Sequence, residues 1–179
     1  MSTSELISST TKKDKNYKKI IIILSKIIGT VIEKSVKYHE VNKSKEKKDT
    51  NFCSKEIPNI TITNYILRLT KKINIEPSTL ILGIIYFDKI CNKGNIILSF
   101  LNVYRLILIS LVLAIKFNEE YFETNEFYSK IGGLSNKSFN KLEIAVLKIL
   151  NYKLYIKKDI YDNYINHISN FIESNLYVL

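Results

Sequence analysis

Apolar residues recur at helical spacing along most of the chain. Between residues 17 and 38, Ile20, Leu24, Ile27, Ile28, Val31 and Ile32 form one stripe, the period of an amphipathic helix. Residues 1–16 are polar and predict a disordered tail, and the charged stretch over 39–57 reads as a linker. Five helical segments then follow in close order. The first opens at Pro58, a residue favoured at helix starts, and runs to about Lys72. Pro77 opens the second, which ends near Asn92–Gly94. The third, from about Ser99 to Phe117, is apolar on nearly every face, which places it in the middle of a bundle. The fourth is short, from a Thr124 cap to Ile131, and stops at Gly132–Gly133. Ser135 caps the fifth, whose Phe139, Leu142, Val146 and Ile149 form a helical stripe. A last helix within 156–179 begins near Asp159 and carries Ile160, Tyr164, Ile168 and Phe171.

Composition supports an all-α reading. With only 2 Pro and 5 Gly in 179 residues, long stretches run without breakers, and 46% apolar residues suffice for a core. Residues 1–57 hold 13 Lys and 7 acidic residues, so +6 of the net +10 lies in this arm. A basic arm fits nucleic acid, a membrane surface, an acidic partner or plain solvation. All the basic residues but Arg68 and Arg105 are Lys, which singles out those two positions, because a planar fork is not replaced by Lys at a bidentate site.

Several function classes lose support. Cys53 and Cys91 lie far apart, and His39 and His167 add no ligand spacing, so neither a metal nor another cofactor is expected. Two separated cysteines fit a reducing compartment, cytoplasmic and/or nuclear. The run from Ile20 is broken at Lys26 and Glu33–Lys34, too short for a membrane span, and no signal cleavage site follows it. No phosphate-binding glycine loop or nucleophile elbow is present, and no nucleophile–base constellation argues for an enzyme or a small-molecule substrate.

Four ordered segments carry a resemblance: 84–90 (IIYFDKI), 101–117 (LNVYRLILISLVLAIKF), 127–133 (FYSKIGG) and 140–154 (NKLEIAVLKILNYKL). Together they resemble the signatures of P/U-type cyclins, over a single cyclin box at residues 58–155. The short fourth helix ending Lys130-Ile131-Gly132-Gly133 points to this subclass. The resemblance implies a five-helix cyclin box with flanking N- and C-terminal helices, no catalysis of its own, and a cyclin-dependent protein kinase as partner. It further implies docking on the kinase helix whose glutamate pairs with the ATP-binding lysine. Residues after 155 are too few for a second box.

The resemblance also assigns roles. Lys116 and Glu143 match the family's kinase-facing charges. By charge alone they read as an ordinary surface pair; within these motifs Lys116 would cap carbonyls of the docked helix while Glu143 holds it and accepts from backbone N–H groups. Phe117, Ile144, Leu147, Tyr152 and Leu154 match the apolar docking contacts, with plain core as the other reading for Leu147 and Leu154. Glu119 and Glu120 would face arginines near the kinase activation loop, in place of a phosphate; a solvated loop is the alternative. Arg68 and Asp88 match a structural ion pair between the first and second box helices, and a buried fork-to-carboxylate pair suits Arg. The tryptophan-containing substrate-docking patch of many cyclins is missing: the corresponding stretch is Thr70–Asn74 and the chain has no Trp. The rival readings are a cyclin-fold scaffold and a nucleic-acid-associated factor. The second is disfavoured by a single box and by two arginines, the residue base readout favours.

Overall fold

The computed structural model describes residues 18–22, 24–34 and 52–175, with side chains to residue 170. Residues 18–34, apart from residue 23, form α1. Then follow α2 (Ile62–Ile73), α3 (Pro77–Lys93), α4 (Val103–Asn118), α5 (Asn125–Gly132), α6 (Asn136–Ile149) and α7 (Lys158–Asn175). The chain is all-α. The expected disordered tail over 1–16 and residues 35–51, which include most of the expected linker, lie outside the described residues.

The core is built around α4. Every residue from Val103 to Ile115 except Arg105 is buried, as its all-round apolar sequence requires. Helix α3 packs most extensively on it, and α2, α5 and α6 also contact it. Tyr65 of α2 meets Tyr104 of α4 edge to face, with ring centroids 5.1 Å apart. Helix α5 reaches α4 through Gly132, where an added Cβ would collide with Leu108 Cδ2. Gly133 then ends α5 in the left-handed region, at φ 74°, where glycine carries no Cβ penalty.

Helix starts differ from expectation in two places. Helix α2 begins at Ile62, because Thr61 supplies the cap: its Oγ1 accepts from Asn64 N at 3.2 Å. Pro58 stands in the preceding loop. Helix α4 begins at Val103 rather than near Ser99, because Asn102 ties up the entry: its Oδ1 accepts from Ser99 N and its Nδ2 donates to Ile97 O. The end of the expected linker is packed into the box. Phe52 is in the core, and Ser54 Oγ donates to Leu101 O at 2.6 Å.

Helix α1 is turned relative to its expected stripe. Ile21, Leu24 and Ile32 are buried, whereas Ile27 and Val31 are exposed. After α6, Tyr86 OH donates to Leu154 O at 2.7 Å and fixes the segment that leads to α7.

Candidate functional site

One end of α4 meets α5 and α6 at a polar junction. Lys116, in the last turn of α4, forms an ion pair with Glu143 of α6, Nζ to Oε1 at 2.6 Å. Asn125, the first residue of α5, lies beside them. Its Oδ1 accepts from Lys116 Nζ, and its Nδ2 donates to Glu143 Oε2 at 2.7 Å and to Asn140 Oδ1 at 2.8 Å. The Thr124 cap, whose Oγ1 accepts from Phe127 N, fixes where α5 starts and hence where Asn125 stands.

The pair is half-buried, with side-chain exposures of 24% for Lys116 and 15% for Glu143. An ammonium has three donors, and two are engaged here; each carboxylate oxygen accepts one bond and retains a lone pair. The junction therefore keeps one N–H donor and two acceptor positions unused within these bonds. Its members are held by three helices, so their side chains are already ordered.

Apolar residues border this junction. Phe117 follows Lys116, and Ile144 follows Glu143 with Leu147 one turn further along α6. Phe117, Ile144 and Tyr152 are 49%, 52% and 65% exposed, while Leu147 and Leu154 are half-buried and packed against the core. Tyr152 and Asn151 both hold the left-handed conformation, with φ 56° and 51°. Tyr152 N donates to Leu147 O at 2.9 Å, closing the end of α6. A non-glycine residue there carries strain of ~1–3 kcal/mol, and it turns the Tyr152 ring outward.

The acids after α4 are placed differently from one another. Glu119 Oε1 accepts from Glu76 N at 3.3 Å at the start of α3, and Glu120 is exposed. The loop that follows is tied down by Tyr128, whose hydroxyl accepts from Glu123 N at 3.0 Å and is pushed up in pKa mainly by burial.

The expected ion pair of Arg68 and Asp88 is not formed. Both residues are exposed, and each has another partner. The Arg68 guanidinium stacks over the Tyr65 ring, 5.2 Å from its centroid. Asp88 faces α7 and accepts from Tyr164 OH at 2.6 Å. Burial, followed by the bond to Asp88, raises the Tyr164 phenol above its ordinary pKa. In the stretch that would correspond to a substrate-docking patch, Thr70 is buried, Lys71 and Lys72 are exposed, and Asn74 caps α2 at φ 53°.

Sequence reasoning missed Asn125 and Asn140. Asparagine is abundant along the whole chain, so neither stood out; the signal was Asn125's place directly after a helix cap. It also passed over Tyr121, Phe122 and Tyr155, all exposed aromatics near the ends of α4 and α6. Among the described residues, no three His, Cys, Asp or Glu side chains gather to hold a metal ion, and no helix is long and apolar enough to cross a membrane.

The chain matches the cyclin family model over residues 14–154. It is 28% identical over 158 residues to Cyclin-P3-1 of Oryza sativa subsp. japonica, covering 88% of this chain and 66% of that protein. Cyclin-U1-1 of Arabidopsis thaliana is 26% identical over 159 residues, covering 88% and 75%. Cyclin-U3-1 of Arabidopsis thaliana is 35% identical over 108 residues, covering 60% and 48%. The chain thus spans about half to three quarters of the length of these relatives.

Proposed function

The chain belongs to the cyclin family, with relatives of the P and U types, and on that premise we propose that it is the regulatory subunit of a cyclin-dependent protein kinase. A cyclin's role is regulatory, and this chain acts by contact rather than by catalysis of its own. It docks on the kinase helix that carries the ATP-aligning glutamate and holds that helix inward, so that the glutamate meets the ATP-binding lysine. The compartment that fits such a partner is the cytoplasm or nucleus.

The observation that carries this reading is the junction of Lys116, Glu143 and Asn125. Its remaining donor and acceptors suit the exposed carbonyl and N–H groups at the end of a helix or its preceding loop. Exposed Phe117, Ile144 and Tyr152 supply the apolar centre that a specific interface needs around such a pair. At the α4 end, Glu120 is free to face basic residues near the kinase activation loop, while Glu119 does so only if it leaves Glu76 N.

The test is affinity capture from an extract of the source organism, followed by a kinase assay. Wild type is expected to retain an active kinase, and Lys116→Ala/Glu143→Ala to lose it, by a factor corresponding to ~2–5 kcal/mol of interface energy. Glu119→Ala/Glu120→Ala should still capture the kinase but lower its activity when its loop is unphosphorylated. Equal capture by wild type and the first double variant would place the docking face elsewhere. Capture of no kinase by wild type would overturn the function.

A further inference from the structure

Away from the docking face, a half-open apolar groove of about 610 Å³ runs between α1, α3 and α7. Ile28 of α1, Ile84 and Phe87 of α3, and Ile168 of α7 are among its walls. Its α1 edge stays open to solvent: Ile27 and Val31 line the groove and are 37% and 41% exposed. A single exposed apolar side chain is ordinary. Two on adjacent turns of one helix, at the mouth of an apolar groove, mark a face that lacks its partner.

The groove also carries a charge asymmetry. Lys34 follows Val31 by three residues and Ile27 by seven, so it lies on the same edge of α1. Lys19 and Lys26 stand on the exposed outer face of that helix, and Glu33 is the one acid among its described residues. Across the groove, exposed Asp88 accepts from Tyr164 OH. The α1 rim is therefore basic and the opposite rim is not. A concave apolar floor fits projecting side chains rather than a flat bilayer, and an amphipathic helix projects them in one row. From Leu24 to Val31 the α1 wall covers about 10 Å, roughly two turns of such a helix.

We propose that this groove docks an amphipathic helix of a partner protein, with acidic residues along the flank that meets α1. Its apolar stripe packs on Ile27 and Val31, and its acids pair with Lys26 and Lys34. The site shares no residue with the Lys116 junction and stands whether or not a kinase is bound there.

The probe is a synthetic helical peptide of roughly five turns, labelled with fluorescein and titrated into the full chain by anisotropy. It carries leucine at i, i+3, i+4 and i+7, glutamate along one flank and glutamine along the other. A second peptide has lysine in place of each glutamate. We expect saturable binding of the glutamate peptide, weakening as salt rises, with methyl NMR shifts at Ile27, Val31 and Ile84. The lysine peptide should bind about tenfold or more weakly. Ile27→Glu/Val31→Glu should fold, as circular dichroism would check, and lose binding. Lys26→Glu/Lys34→Glu should reverse the preference between the two peptides, which a merely adhesive apolar surface would not do. No saturable binding to wild type overturns the proposal. So does equal affinity for the two peptides, or wild-type affinity in folded Ile27→Glu/Val31→Glu. A dimer in sedimentation, or flotation with phosphatidylcholine–phosphatidylserine vesicles, that this variant abolishes would give the groove to a second copy or a membrane and overturn it as well.

Discussion

Tyr152 is an aromatic residue with φ 56°, a conformation that glycine adopts freely and tyrosine does not. Its ring is largely exposed, so little packing offsets the strain. Replacing it with glycine should therefore stabilise the isolated chain by about 1 kcal/mol, a rise in melting temperature of about 2–4 °C. The same change removes an aromatic anchor and should weaken kinase capture about tenfold or more. A fall in melting temperature, or unchanged capture, would show that the strained tyrosine serves neither end as argued. Lys116 and Glu143 were legible in the sequence because the surrounding motifs marked them, though they lie 27 residues apart. Asn125 was not: its place directly after the Thr124 cap was a signal, but one masked by abundant asparagine, and its partners come from two other helices. Arg68 and Asp88 were expected as a pair from the family resemblance, with the arginine's residue type as support. In the fold an aromatic ring on its own helix lies under Arg68, and a phenol from α7 satisfies Asp88. The α7 tyrosine lies 76 residues beyond its partner, outside the stretch that carried the resemblance.

At the scale of elements, all five box helices were legible, the third because it is apolar all round, the fifth from its stripe, and the first, second and fourth from their prolines, cap and glycines. Their starts were less legible. Proline signals a start but does not compel one: Pro77 opens α3, whereas Pro58 gives way to the Thr61 cap three residues later. The close of α5 was readable from Gly132–Gly133, and the two glycines do different work. Gly133 supplies the left-handed turn, and Gly132 lets α5 approach Leu108. Gly132→Ala would gain ~1 kcal/mol of helix propensity. It would also drive a methyl group into Leu108, a fully buried side chain in the central helix. Overpacking of this kind costs ~1–3 kcal/mol. The clash should win, lowering stability by about 1 kcal/mol and the melting temperature by about 2–4 °C. An unchanged or raised melting temperature would mean that α5 can slide away from α4 freely, and that the helix is less firmly seated than its buried Tyr128 implies.

For the whole molecule, the question is whether the N-terminal region is an arm or part of the box. Its charge suggests an arm, since most of the net +10 lies there. Its packing argues otherwise: α1 exposes Lys18, Lys19, Lys26 and Lys34 while burying Ile21, Leu24 and Ile32, and the family match begins before it at residue 14. A solvated face of lysines and a docked apolar face are compatible on one helix. The sequence showed the stripe but not which edge of it faces inward, because adjacent isoleucines fill both edges. Paired substitutions separate the two views. If α1 is docked as described, Ile21→Ala opens a cavity in the core and should cost ~2–5 kcal/mol. Ile27→Ala touches an exposed position and should stay within about 0.5 kcal/mol. If α1 is instead an arm, both variants should denature at the wild-type concentration of urea. A large loss for Ile21 alone makes α1 a structural member of the box, and its lysines then form a fixed basic face on the body of the protein rather than a tether in solution.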